Sequence, residues 1–371
     1  MHRLVAGRAL LTLGGRIGAR TWLLAGAALL AVFVVGLVAS SGGGSGRAAG
    51  PAALGEKLTV AVAAVVFGVA GAWLGFVLAL GAVERLGRLA PVLRPWVFVG
   101  PALALIGLFL VYPMLSTILD AVTLDGGAAR NFGDLAADAS VWLAIRNNAL
   151  WLVLGTGGSV GLGLLTAVLF DRVRGEAVAK AVVFLPMAIS MAGAATIWRF
   201  VYAWRPPGEP QIGLLNAVWT ASGAEPVAWV QAAPLNTPLL IVIMIWLQAG
   251  FAMVVLSAAI KAVPREILEA ARVDGATEPA LFRLILLPII RPSIVAVTTT
   301  VAIMVLKVFD IVFVMTGGNF ETDVIANRMF RELVTYRDFG HASALAVVLF
   351  LAVLPIGLLS VRSMVQGRVV R

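Results

Sequence analysis

Apolar positions come in blocks of about the length that crosses a hydrocarbon core, roughly 20 residues each, separated by short segments where charge, glycine and proline collect. Charge-free runs occupy 21–46, with their apolar part at Trp22–Ala39, then 58–83, 95–119, 147–170 and 181–198. The run 226–260 is longer, but Pro226, Pro234 and Pro238 confine its helix to Leu239–Ile260. The stretch 293–316 is apolar but interrupted by Lys307 and Asp310, and 342–361 closes the series. The pattern predicts an all-α polytopic membrane protein with about eight transmembrane helices. A secretory leader would explain the first block, but its apolar part is longer than a usual leader core. Residues 40–50 then read as a flexible Gly/Ser linker, so an anchor is expected.

Composition agrees with the pattern. Of 371 residues, 61% are apolar and 13% charged, against about 25% charged in soluble domains, which excludes an ordinary soluble enzyme and a disordered chain. The net charge of +9 is scattered between apolar blocks instead of clustered, so no nucleic acid is expected. Cysteine is absent, which removes disulfides and thiolate metal sites. His2 and His341 stand too far apart in sequence and topology to suggest a metal. Counting Lys and Arg by alternate loops gives 18 on one side and 8 on the other. Basic loops stay in the cytoplasm, so both termini and the 261–291 loop are expected there. The opposite segments, 120–146, 203–237 and 317–341, are too short for a domain with its own core, and Trp198, Trp204, Trp219 and Trp229 read as interfacial belt residues.

The longest inner loop reads as a helix–turn–helix. Pro264 suits a first helical turn, and Gly275 after Asp274 a helix end in left-handed geometry. Thr277 is a candidate N-cap, Pro279 falls in the next first turn, and Pro288 is expected to stop that helix. Ile267, Leu268 and Ala271 repeat at helical spacing, while Arg265, Glu266, Glu269 and Arg272 form a charged rim. Two readings fit the local physics: a helix pair lying on lipid headgroups, or one that docks on a partner.

The same loop resembles the permease subunits of binding-protein-dependent ABC importers. Their signature is Glu-Ala-Ala, three residues, Gly, nine residues, then Ile-x-Leu-Pro, and it stands here as Glu269, Ala270, Ala271, Gly275, Ile285, Leu287 and Pro288. Lys261–Pro264, Lys307–Asp310 and Met315–Gly318 make the likeness strongest to the maltose and α-glucoside branch, from about residue 95 to 365. After the Gly317-Gly318 pair, where that branch usually has Gly-Pro or Pro, this chain has Asn319-Phe320. The resemblance implies a six-helix permease core over 95–371. Residues 1–94 would hold an N-terminal cytoplasmic segment and two extra spans. It also implies that 261–291 is a coupling loop, with Glu269 a charged contact to an ATPase subunit, Ala270 and Ala271 a close-packing surface and Gly275 the turn. No Gly-x-x-x-x-Gly-Lys-Ser/Thr loop is present, so ATP and Mg would be bound by partner subunits and the chain itself would not be an enzyme.

Ionisable groups inside a span usually face a bundle interior or a watery cavity. Lys307 and Asp310 are three apart, so they can meet on one helix face. Either they only neutralise one another or their face lines a path. Thr300, Met304 and Lys307 follow one another at helical spacing with Asp310 flanking, and Met244, Gln248 and Phe251 repeat likewise beside Trp246. Hydrogen-bonding groups beside apolar plates suit a carbohydrate, and the resemblance places matching positions in the sugar pocket. The expected protein is thus the permease of an ATP-driven importer for a di- or oligosaccharide such as an α-glucoside, in a bacterial inner membrane. Its partners would be a second permease, two ATPase subunits, an extracytoplasmic solute-binding protein and the lipid bilayer. Importers of glycerol phosphate or polyamines, and a proton-coupled secondary transporter using Lys307 and Asp310, remain the alternatives.

Overall fold

The computed structural model describes residues 90–369 apart from Arg172, together with scattered positions between 75 and 85, and side chains as far as Leu359. The chain forms two compact units, Met1–Pro113 and Met114–Arg371. In the first, Phe76 and Phe98 pack edge to face at 5.3 Å.

Among the described residues there are helices and turns and no strands. In chain order the helices are α1 (Pro91–Thr123), α2 (Gly127–Ala137), α3 (Ala139–Phe170), α4 (Glu176–Ala188), α5 (Met191–Val201) and α6 (Leu214–Thr220). They continue with α7 (Asn236–Lys261), α8 (Arg265–Val273), α9 (Glu278–Leu306), α10 (Asp310–Met315), α11 (Ile325–Phe330) and α12 (Phe339–Val369). Five of them, α1, α3, α7, α9 and α12, are long and apolar enough to cross a membrane; α4 and α5, bent by 102°, add a sixth if they are one broken span. These correspond to the six later blocks of the sequence. The two earlier expected spans, 21–46 and 58–83, lie outside the described residues save for a few positions.

The second unit is built around α7, whose buried residues run from Asn236 to Ile260. It packs on α3 in the same chain direction, because Gly158 faces Ile245 and Gly163 faces Ala249, Ala252 and Met253. Between helices in lipid the drive is close van der Waals contact, which small residues permit. A Cβ on Gly163 would lie 2.8 Å from the Met253 backbone nitrogen and 3.0 Å from the Ala249 carbonyl oxygen. Gly250 serves α4 likewise: its missing side chain leaves room for the Val183–Phe184 backbone. A second cluster, Ala121, Leu135, Val141, Ala144, Ile325, Ala344 and Leu345, joins the end of α1 to α2, α3, α11 and α12.

Proline was expected to stop a helix at Pro288, and it does not. Helix α9 continues through Pro288 and Pro292. Just before Pro288 the turn Leu281–Leu286 is a wide one, with the Leu287 amide reaching back five residues to the Phe282 carbonyl. A proline removes one backbone donor and crowds the preceding turn, and widening that turn re-pairs the carbonyls without ending the helix. The same device precedes Pro113 in α1, at Gly107–Val111.

Replacing Gly163 with isoleucine should push α3 and α7 apart, at a cost of about 1–3 kcal/mol for overpacking a filled interface. Thermal unfolding of the detergent-solubilised protein should show a lowered midpoint, whereas Gly161→Ile, where a Cβ meets nothing within 4 Å, should leave it unchanged.

Candidate functional site

Three features distinguish the second unit: the exposed loop between α7 and α9, two breaks in spanning helices, and a buried polar loop at the far end.

The loop contains the helix–turn–helix read from the sequence. Helix α8 is closed by paired backbone bonds, Ala276 N–H to the Ala271 carbonyl at 3.0 Å and Gly275 N–H to the Arg272 carbonyl at 3.1 Å. This is the Schellman arrangement, and it puts Gly275 at φ +86° with open space around it. Thr277 occupies the N-cap position of α9 in extended geometry, with no side-chain cap bond. Arg272 and Glu278 pair at 3.0 Å across the turn. Leu268 and Phe282 anchor the loop to the core. Glu269, Ala270 and Gly275 are exposed and Ala271 half-buried, while Ile267, Val273 and Leu284 expose apolar surface beside them. Ile285 and Leu287 are half-buried and Pro288 exposed in the first turns of α9. The seven signature residues therefore form one continuous stretch whose most exposed part is α8 and its turn.

The first break lies at Ile189–Ser190. Helix α4 tightens over Leu185–Ala188 around Pro186, Ile189 is extended, and the Ser190 hydroxyl caps α5 by accepting from Gly193 N–H at 3.1 Å. The block 181–198, expected as one span, is thus broken at mid-length. The second break separates Lys307 from Asp310: α9 ends at Leu306, and α10 begins at Asp310. The two residues do not share a continuous helix face as expected, and no ion pair joins them among the described residues. Asn148 supplies the physical reason. Buried on α3, it donates to the freed Leu306 carbonyl at 3.1 Å and accepts from Ile325 N–H, the start of α11, at 2.8 Å. The later halves of the two broken spans, α5 and α10, pack on one another.

The remaining path candidates fall into two groups. Met244 is fully buried in the core; Gln248 is buried with its side-chain carbonyl oxygen unpartnered, and Phe251 is half-buried. On α9, Thr300 is exposed, bonding its hydroxyl to the Ala296 carbonyl, Met304 is half-buried and Lys307 exposed, and Asp310 is half-buried on α10. Trp246 packs on Trp198 at 5.8 Å, and Trp198 on Tyr202 at 5.1 Å, so Trp198 belongs to a helix-packing cluster. Trp219 and Trp229 pack on each other around Asn216, which holds the 203–229 segment by four side-chain hydrogen bonds. Sequence reasoning missed the aromatic trio Phe309, Phe313 and Phe330, with ring centroids 5.0–5.2 Å apart beside the second break. Phe309 and Phe313 stand four apart, a helical spacing that could have paired them, whereas Phe330 joins them only through the fold.

At the far end three asparagines pin the 316–325 segment: Asn147 donates to the Glu321 and Asp323 carbonyls, Asn236 to that of Phe320, and Asn148 accepts from Ile325 N–H. Phe320 and Glu321 are held at positive φ, +57° and +60°, which is uncommon for such side chains and signals a constrained tip. Burial pushes the Asp323 carboxyl above its ordinary value, against the opposing pull of the Asn327 hydrogen bond and the Arg331 guanidinium. Asp138 is burdened by burial too, but its bond from Ser140 and the nearby Arg328 outweigh that and lower it.

The described residues thus form an apolar helical bundle of spanning helices with an exposed helix–turn–helix and two broken spans, the build of a polytopic membrane protein. The family described as binding-protein-dependent transport system inner membrane component matches residues 159–369. The chain is 50% identical over 271 residues to the osmoprotective compounds uptake permease protein of Synechocystis sp., covering 71% of this chain and 96% of the relative. It is 44% identical over 283 residues to the alpha-glucoside transport system permease protein of Rhizobium meliloti, covering 74% and 84%. A crystal structure of a bacterial ABC transporter involved in the import of the acidic polysaccharide alginate shares the fold, with TM-score 0.65 and 23% identity over 75% of this chain and 99% of that one. This chain belongs to the inner-membrane permease family of binding-protein-dependent ABC importers, and like other members it is a transport subunit and not an enzyme.

Two outcomes test the site. A valine at Gly275 must adopt left-handed geometry at about 1–2 kcal/mol, so amide exchange over α8 should quicken by roughly tenfold with α7 unchanged. For Asp323 the sign is that of a carboxyl whose folded pKa is raised: its stabilising contribution is present below the ordinary value of 3.8 and is lost as pH rises through the raised one. Exchange protection of residues 318–327, corrected for intrinsic rates, should fall as pH rises from 3.8 toward neutrality, and Asp323→Asn should flatten that dependence.

Proposed function

We propose that this chain forms part of the translocation path of an ATP-driven importer for small glycosidic sugars, α-glucosides foremost. It works with a second permease, two ATPase subunits and an extracytoplasmic solute-binding protein. The observation that carries the reading is the exposed, Schellman-closed helix α8 with the full signature from Glu269 to Pro288. Such a helix offers a charged rim and small residues to a partner cleft, and its turn is closed by two backbone hydrogen bonds. The basic-residue bias supports placing this loop and both termini in the cytoplasm.

Closing of the ATPases on ATP would move α8 and open the path outward, and hydrolysis with product release would return it to the inward-facing state. The breaks at Ile189–Ser190 and Lys307–Phe309 supply polar groups at membrane depth, as discontinuous helices do in transporters. The unpartnered Gln248 oxygen, with Thr300, Lys307 and Asp310, offers hydrogen bonds to hydroxyls, and Met244, Phe251 and Met304 offer apolar surface. Lys307, exposed on this chain at span depth, cannot face lipid cheaply, which supports a path or permease–permease position for its face. The likeness to an α-glucoside permease supports the sugar class.

The test is uptake of labelled maltose into vesicles holding the assembled complex, with the cognate binding protein outside and ATP inside. Vanadate-sensitive uptake is expected, and Glu269→Lys should reduce retention of the ATPases by at least tenfold, as loss of a charged contact at an interface does. Uptake that needs a proton gradient and ignores vanadate would overturn the ATP-driven reading. Transport of an osmoprotective solute with no sugar transported would overturn the substrate class alone.

A further inference from the structure

Five polar side chains meet where α7 runs into the coupling loop, and none belongs to the signature or to the path candidates. Glu176, the first residue of α4, lies between two ammonium groups, Lys180 one turn along its own helix and Lys261 at the end of α7. Lys180 also donates to the Ser257 hydroxyl, one turn before Lys261 on α7. Lys261 Nζ stands 3.8 Å from Asp171 Oδ1, immediately after α3. The cluster therefore ties the end of α3, the start of α4 and the end of α7 at one place.

An exposed pair in water contributes little. Here one carboxylate is shared by two cations, and the Lys180 side chain is only 15% exposed, so the group fixes geometry more firmly than one surface pair would. The other end of α4 is held as well, because its Val183–Phe184 backbone lies against Gly250 of α7. Helix α4 is thus gripped by α7 at both ends. Only Ala262, Val263 and Pro264 separate Lys261 from α8, and Val263 is buried. Beyond its second grip α4 reaches the break at Ile189–Ser190 and turns by 102° into α5, which packs on α10.

We propose that the Asp171–Glu176–Lys180–Lys261–Ser257 cluster is the strut that carries movement of the coupling helix to the broken span: α4 and the end of α7 move as one body, and Ile189–Ser190 is the hinge that absorbs the movement. Glu176 and Lys261 are in this sense positioning residues for transport, acting through α4. The inference rests on the reading of α8 as the helix on which an ATPase subunit docks.

The chain has no cysteine, which permits a test within one protein sample. In the assembled importer in vesicles, the double variant Glu176→Cys/Lys261→Cys should hydrolyse ATP near the wild-type rate while sugar imported per ATP falls about tenfold, within the usual range of coupling between sites. Bridging the two thiols with a short bifunctional methanethiosulfonate should restore most of that ratio, and reduction should abolish it again. Exchanging the charges, Glu176→Lys with Lys261→Glu, should retain more of the ratio than Glu176→Gln alone. The ratio of transport to hydrolysis does not change with the amount of complex assembled, so a merely destabilised variant would not mimic the result. An unbridged double variant with the wild-type ratio, or a bridge that leaves a low ratio unchanged, would overturn the strut. A wild-type complex without ATP-driven uptake would overturn the functional reading beneath it as well.

Discussion

Every backbone carbonyl and amide at membrane depth must find a partner inside the protein, because hydrocarbon offers none. That constraint decides where this chain can leave the helix. At Leu306 the freed carbonyl is taken by Asn148, reached across 158 residues of sequence. At Ser190 the side chain caps the following helix itself. At Pro288, where a donor is missing, the chain stays helical and widens the preceding turn, and a wide turn precedes Pro113 as well. Two outcomes of one rule thus separate breaks from mere irregularities. The break at Ile189–Ser190 turns its span by 102°, and the segments that follow the two breaks, α5 and α10, pack on each other.

What could be read from the sequence follows how local each feature is. The helix–turn–helix of the 261–291 loop was legible almost residue by residue, since Gly275, Asp274 and the Ile267–Leu268–Ala271 spacing determine a helix end through bonds no more than five residues long. Six apolar blocks recur as spanning helices or a broken one for the same reason. The breaks were not legible. Lys307 and Asp310 look like an i, i+3 pair on one face, and only the distant Asn148, with Asn147 and Asn236 at the far loop, shows that the helix stops between them. Pro288 misled in the opposite direction, because the wide turn that accommodates it depends on carbonyl re-pairing that carries no residue signature.

The glycines of α3 connect these observations to function. Gly158 and Gly163 bring its backbone close to α7, and so hold Asn147 and Asn148 at the head of α3 and Asp171 at its foot in register with the two ends of α7. The seam therefore sets the distance between the pinned far loop and the ionic cluster. A permease that alternates between states needs such an invariant, because a motion delivered at one end becomes useful at the other only if something between them does not yield.

The two ends then differ in the chemistry of their ties. At the far end the three asparagine ties are neutral amides, fully or nearly fully buried and bonded to the backbone, beside the largely buried Asp323–Arg331 pair. Breaking one strands a desolvated polar group, which costs about 1–3 kcal/mol, so that arrangement is suited to one fixed geometry. At the end beside the 261–291 loop the ties are charges with side chains from 15% to 51% exposed, which water can solvate if they part. At this wet edge the loss of one contact leaves no buried orphan, and because Glu176 is shared by two cations, of which Lys180 also bonds Ser257 of α7, the remaining contact still ties α4 to its neighbours. The division of materials matches a division of labour: amides where the chain must hold the shape of its breaks, and ions where it receives a push.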